Sequence, residues 1–303
     1  MTTLFIGLGA MGAPMVSNLA RVEDVVVYDV NSSVSRSVAG ELGISSLASL
    51  SALPQDVDTL ILMVPNSRIV ESILIGDAGL LGQLKSGSLI IDMSSSDPTS
   101  TQDLASQAAA LSIDYVDAPV SGGVTKAVSG ELSIMVGGSA EAVVRARPIL
   151  DALGGSIHHV GGPGCGDAAK ALNNLLSATN LAAAAEILSA ATRFGIQPES
   201  MLDVINASTG RSQASEVKYP KHILSGAFDS GFSFDLMVKD LGIAQSLTHG
   251  AGLRTPITDS AAKAAGDAHE FIGTGRDHTE FVRLFEQENH VKLRSIRESE
   301  PYS

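Results

Sequence analysis

The sequence predicts an α/β fold, a doubly wound and mostly parallel sheet followed by an all-α domain. Three observations predict it. The short apolar run Thr2 to Ile6 leads at once into a glycine turn, Gly7-Leu8-Gly9-Ala10-Met11-Gly12. Apolar runs then alternate with helical patterns through the first half, the order that covers a parallel sheet on both faces. From Gly164 onward the apolar spacing is helical throughout. With 303 residues and 44% apolar side chains the chain is too long for one typical core and supplies material for two. The expected domains are residues 1–163 and 164–303, divided at Gly161-Gly162-Pro163-Gly164.

Taken in order, the first strand, the glycine turn and a helix from Ala13 to Arg21 form the start of a Rossmann-type unit. Glycines let a dinucleotide pyrophosphate approach the backbone, and the helix N-terminus supplies N–H groups and a positive dipole. The turn alone is a weak signal. Here Val25 to Tyr28 reads as the second strand and ends in Asp29, where a carboxylate accepts hydrogen bonds from a ribose diol and repels a 2′-phosphate. The expected cofactor is therefore NAD, preferred over NADP. Gly7, Leu8, Gly9, Ala10, Met11, Gly12, Asp29 and Asn31 are its first candidate contacts.

Further on come a helix near Ser33 to Leu42, a strand at Thr59 to Val64, a helix from Ser67, a strand Ser88 to Asp92 and a helix Ser100 to Leu111. Ligands gather at the C-terminal ends of such strands, which adds Val64, Pro65 and Ser95 to the cofactor candidates. Tyr115 to Gly123 reads Tyr-Val-Asp-Ala-Pro-Val-Ser-Gly-Gly. Its Ser121, Gly122 and Gly123 form either a backbone nest that holds a carboxylate or an ordinary hairpin bend. A strand Glu131 to Val136, a helix Ala140 to Leu153 and a short strand His158 to Val160 complete the first domain.

Gly164 to Phe194 reads as one long helix, on which Gly166, Lys170 and Asn174 share a face and Leu175, Leu176, Leu181 and Leu188 suit burial. By itself that pair is either a snorkelling lysine with a solvated asparagine or a functional couple. Helices follow at Pro198 to Ala207, Glu216 to Leu224, Phe234 to Gly250, Ile257 to Ala268 and Glu280 to Lys292. Arg297 to Ser303 is expected to be disordered.

A net charge of −13 without Lys or Arg clusters argues against nucleic acid and anionic membrane as partners and leaves room for a small carboxylate substrate. Cys165 is the single cysteine, which excludes an internal disulfide and a thiolate metal site. His158 and His159 lack a third ligand at metal spacing, so no metal is expected. Neither a leader nor an apolar run of membrane-spanning length is evident, and a cytoplasmic protein is expected.

At this point the chain resembles the β-hydroxyacid dehydrogenases, the family of 3-hydroxyisobutyrate dehydrogenase, tartronate semialdehyde reductase and 6-phosphogluconate dehydrogenase. Four blocks in order carry the resemblance: Phe5 to Met15; Asp117 to Gly123; Gly164 to Lys170 with Asn173 and Asn174; and Lys239-Asp240-Leu241. It implies hydride exchange between a nicotinamide and the hydroxyl-bearing β-carbon of a small 3-hydroxy acid, or its semialdehyde. Lys170 would move the hydroxyl proton, and Asn174 and Asn173 would bind substrate. Ser121, Gly122 and Gly123 would hold its carboxylate. Lys239, on the cofactor side, and Asp240, on the substrate side, would close over the reacting groups. Arg211 would read the distal end of the substrate. Family members pair into homodimers or homotetramers. Val124 to Ala127 resembles instead the four-carbon sugar-acid (threonate-type) dehydrogenases, which with tartronate semialdehyde reductase are the alternatives in the family, and a non-catalytic dinucleotide-binding module is the alternative of a different class.

Overall fold

The structure, a computed structural model, describes residues 2–293. The expected disorder of Arg297 to Ser303 lies outside the described residues. The chain divides into two compact units, Met1–Lys170 and Ala171–Ser303.

The first unit holds a sheet of strands β1 (Thr2–Ile6), β2 (Val25–Tyr28), β3 (Ser45–Ser46), β4 (Val57–Leu62), β5 (Leu89–Asp92), β6 (Asp114–Asp117), β7 (Val120–Ser121), β8 (Leu132–Gly137) and β9 (Gly154–Gly161). Their order is β3-β2-β1-β4-β5-β6-β8-β7, with β9 beside β8. Pairing is parallel except where β8 meets β6 and β7. Helices α1 (Gly12–Leu19), α2 (Ser32–Leu42), α3 (Ser67–Leu74), α4 (Leu80–Gln83), α5 (Pro98–Ala110), α6 (Gly123–Ser129) and α7 (Ala140–Leu153) lie between the strands in the chain.

The strands are apolar on both sides for a simple reason. Side chains alternate across a sheet. Leu4, Ile6, Leu60, Leu62 and Ile90 enter one core with Val70 and Leu104, while Phe5, Ile61, Ile91 and Val116 enter another with Met15 and Leu150. This is the Rossmann-type sheet expected.

Details differ where the pattern is short or mixed. β9 runs over eight residues rather than His158 to Val160, because its exposed Ser156, His158 and His159 hide the apolar alternation. β3, α4 and α6 are too short to show a period. Gly122 (φ +130°) and Gly123 (φ +68°) lead into α6, so the segment is a helix start rather than a hairpin bend.

The second unit is helical. It comprises most of α8 (Cys165–Phe194), then α9 (Pro198–Asn206), a π-helix (Ala214–Ile223), α10 (Phe234–Gly250), α11 (Pro256–Ile272), a 3₁₀ turn (His278–Phe281) and α12 (Val282–Glu288). Pro220 inside the segment expected as an α-helix lacks an N–H, and the turn widens: Leu224 N–H donates to Tyr219 O, five residues back. Leu175, Ala178, Leu181, Ala185 and Leu188 of α8 pack with Tyr219, Phe234, Leu241, Ala265 and Phe281. Leu176, expected among the buried leucines, is 57% exposed, and Leu175 takes the inward place. By length and mean hydropathy α8 could cross a bilayer, but Lys170, Asn173, Asn174, Asn180 and Glu186 interrupt it, so it is not an unbroken apolar run. Its buried face belongs to the core just described, as in the central helix of a globular domain.

Candidate active site

The glycine turn is built by three different constraints. Gly7 sits at φ +99°, and a Cβ there would run into the Met63 carbonyl. A Cβ on Gly12 would overlap the Gly7 carbonyl, so α1 packs on the turn only without a side chain. Gly9 is different: a Cβ there meets nothing within 4 Å. Nothing within the protein demands a glycine at that position, whereas a pyrophosphate lying over the turn would. No side chain caps α1; of its first residues Ala13 donates its N–H to the Gly9 carbonyl at 3.2 Å and Pro14 has none to donate. The residues present therefore fit a dinucleotide.

Asp29, at the end of β2, is half-buried. Its Oδ2 accepts the Leu8 N–H at 2.8 Å and its Oδ1 accepts the Asn31 N–H at 2.8 Å, so the carboxylate is fixed against the glycine turn. Asn31 is exposed and caps α2, its Oδ1 accepting from the Ser33 N–H at 3.1 Å. Val64 N–H donates to Ser94 Oγ at 3.0 Å, Pro65 is exposed, and Ser95 is half-buried between buried Ser94 and Ser96. β2, β1, β4 and β5 are neighbours, so Asp29, the turn, Val64-Pro65 and Ser95 stand along one edge of the sheet. Ser121, Gly122 and Gly123 lie apart, where β7 passes into α6.

A cluster that the sequence reading missed lies beneath this edge. Asp92 and Asp117 end adjacent strands and are register partners. Asp92 Oδ1 accepts the Ser94 N–H at 2.9 Å, and its Oδ2 accepts Ser96 Oγ and the Tyr115 hydroxyl, both at 3.2 Å. Asp117 accepts the Gly164 N–H at 2.8 Å and the Asp167 N–H at 3.0 Å. Asp167 in turn accepts the Ser96 N–H at 3.0 Å and Thr101 Oγ1 at 2.8 Å. Burial raises the pKa of all three carboxyls, Asp167 well above the usual range, and repulsion from neighbouring carboxylates adds to it at Asp117 and Asp167. The signal was present in the sequence: two aspartates end buried strands and the third opens an apolar helix.

Lys170 is 8% exposed, on α8 one turn beyond Asp167. Asn174, a turn further on the same helix, is also 8% exposed. In the second unit Asn174 Nδ2 donates to Asp240 Oδ2 at 2.7 Å, and Lys239 Nζ pairs with Asp240 Oδ1 at 3.2 Å. The structure thus brings Asn174, Lys239 and Asp240 together. Asn173 is exposed, with its amide 3.5 Å from Asn174 Oδ1. Arg211 stands outside the group, exposed and 3.4 Å from Glu216 Oε1. Among the described residues no cluster of His, Cys, Asp or Glu could hold a metal.

The chain is similar to known proteins over most of its length. A family model described as the NAD binding domain of 6-phosphogluconate dehydrogenase matches residues 2–161, and one described as NAD-binding of NADP-dependent 3-hydroxyisobutyrate dehydrogenase matches residues 164–285. The chain belongs to the β-hydroxyacid dehydrogenase family. As a β-hydroxyacid dehydrogenase it is a nicotinamide-dependent oxidoreductase acting on a small hydroxy acid. It is 40% identical to 2-(hydroxymethyl)glutarate dehydrogenase of Eubacterium barkeri, over 95% of this chain and 96% of that one. It is 37% identical to an NAD-dependent L-serine dehydrogenase of Pseudomonas aeruginosa, over 84% and 87% of the two chains. The solved structure of Mycobacterium tuberculosis 3-hydroxyisobutyrate dehydrogenase with L-serine superposes with a TM-score of 0.87 at 31% identity, covering 93% of this chain and 98% of that one.

Proposed function

We propose that this dehydrogenase oxidises the primary alcohol of a 2-substituted 3-hydroxypropanoate to the semialdehyde, with NAD preferred over NADP. The observation that carries the reading is the buried Lys170 one helical turn before the buried Asn174 on α8. The three substrates named for the relatives support the substrate class. 2-(Hydroxymethyl)glutarate, L-serine and 3-hydroxyisobutyrate all present a CH2OH on the carbon that bears a carboxylate, and they differ in the third substituent.

In this reading Lys170 takes the hydroxyl proton as the carbonyl forms, and in the reverse direction its ammonium donates to the carbonyl oxygen. The nicotinamide, when bound, accepts the hydride. Asn174 and Asn173 hold the substrate without changing charge, and Asp240 keeps Asn174 and Lys239 in place. Lys239 supplies positive charge beside the cofactor. Ser121 and the N–H groups of Gly122 and Gly123 seat the carboxylate, and Arg211 reads the third substituent. Val64, Pro65 and Ser95 wall the nicotinamide, while Asp29 receives the ribose diol and repels a 2′-phosphate. Residues 1–163 serve as the dinucleotide-binding domain and 164–303 as the substrate and assembly domain of a cytoplasmic homodimer or homotetramer.

The test is a panel of 3-hydroxyisobutyrate, L-serine, 2-(hydroxymethyl)glutarate, threonate and glycerate, each with NAD and with NADP, followed by cofactor reduction. Methyl esters of the same acids serve as controls. At least one primary-alcohol acid should be turned over and its ester should not. Equal rates on acid and ester would remove the carboxylate seat, and turnover of threonate alone would move the assignment to the four-carbon sugar acids.

A further inference from the structure

Three carboxylates buried side by side are a poor way to stabilise a fold, since apolar side chains of similar volume often do so better. Asp92, Asp117 and Asp167 are all 2% exposed or less. Their surroundings are nevertheless shaped around them. A Cβ on Gly137 would stand 2.7 Å from Asp117 Oδ2, and one on Gly166 would stand 2.8 Å from the same oxygen. Two glycines therefore leave the space that this carboxylate occupies.

The cluster holds the beginning of α8 from two directions. Asp117 takes the N–H groups of Gly164 and Asp167, donors that the start of a helix cannot satisfy within itself. Asp167 carries the hold onward to the Ser96 N–H and the Thr101 hydroxyl. Lys170 follows Asp167 by three residues on the same helix. A general base must lie within about 2.6–3.2 Å of the proton it takes. Misplacement by about 1 Å can cost about 10²-fold in rate.

We propose that Asp117 and Asp167 are positioning residues for Lys170, clamping the first turn of α8 to the ends of β5 and β6 and to the turn that carries Ser95. The proposal rests on the assignment of Lys170 as the acid–base group. Both carboxylates are buried, and the clamp acts by giving the lysine ammonium one place.

The test compares Asp167→Ala, which removes both acceptors, with Asp167→Asn, which keeps an acceptor for Ser96 and a hydrogen-bonding partner for Thr101. The full chain is used. Four quantities are read: kcat and KM on the acid that wild type turns over, the thermal midpoint, and the resonance of 13C-methylated Lys170, assigned with Lys170→Arg. Asp167→Ala should lower kcat about tenfold or more at KM values within about threefold, and should shift or broaden the Lys170 resonance. Asp167→Asn should restore kcat to within about threefold and return the resonance. Should Asp167→Ala not fold, Thr101→Val removes one bond of the clamp and must lower kcat at unchanged KM. An unmoved Lys170 resonance, or a loss of kcat that merely follows the loss of folded protein, overturns the proposal. Full turnover by Lys170→Arg would instead sink the assignment of the lysine, while the resonance would still report whether the clamp holds it.

Discussion

Asn174 Nδ2 donates to Asp240 Oδ2 at 2.7 Å, joining α8 to α10 across 66 residues of sequence. Asp240 is 2% exposed, so its carboxylate depends on such partners. Asn174→Ala leaves that oxygen buried without its amide donor, and a hydrogen bond to a charged group is worth about 1.5–3 kcal/mol. Urea unfolding should show a loss of that size. A loss under about 0.5 kcal/mol would mean that the bond is not held in solution.

The glycines of the turn should separate folding from binding. Gly12→Ala places a methyl on the Gly7 carbonyl and should lower the thermal midpoint as well as abolish cofactor binding. Gly9→Ala meets nothing in the protein, so its stability should stay within about 0.5 kcal/mol of wild type. Its NAD affinity should nonetheless fall about tenfold or more, because the methyl occupies the place of the pyrophosphate. Calorimetric titration with NAD beside thermal unfolding checks both.

Cofactor choice should follow Asp29. Wild type should show a higher kcat/KM with NAD than with NADP. Asp29→Ser together with Asn31→Arg should narrow or reverse that ratio by removing the repulsion and supplying a cation. The double variant also loses the cap of α2, which costs about 1 kcal/mol, so the ratio rather than the absolute rate is the measurement.

The sequence and the structure agree most closely where residues repeat with a clean period. Leu4, Leu60 and Ile90 on one face and Phe5, Ile61 and Ile91 on the other are legible because strands buried on both sides are apolar without interruption. Gly7, Gly9 and Gly12 were legible because their spacing follows from the turn itself. What escaped was held by tertiary partners. The aspartate cluster depends on which strand ends lie side by side, the π-helix on a single proline, and the inward turn of Leu175 rather than Leu176 on how α8 is rotated in its core.

The aspartate cluster predicts a pH dependence of stability. The folded-state pKa values of Asp92, Asp117 and Asp167 are raised, so the native protein binds more protons than the unfolded chain. Stability contributed by these groups is therefore present below the ordinary carboxylate value of about 4 and is lost as the pH rises through the raised values. Asp167→Asn removes its share. The thermal midpoint of the variant should gain on wild type as the pH goes from about 4 to about 8, and parallel curves would contradict the raised state of Asp167.

The central claim is that Lys170 moves the proton in the oxidation of a 3-hydroxy acid. Lys170→Ala, assayed with NAD and the best acid of the panel, tests it most directly. General acid–base groups contribute about 10²–10⁴-fold, so kcat should fall by at least about 10² while the dissociation constant for NAD stays within about threefold of wild type. A variant that keeps most of its turnover, or one that loses NAD binding in step with kcat, would contradict the account.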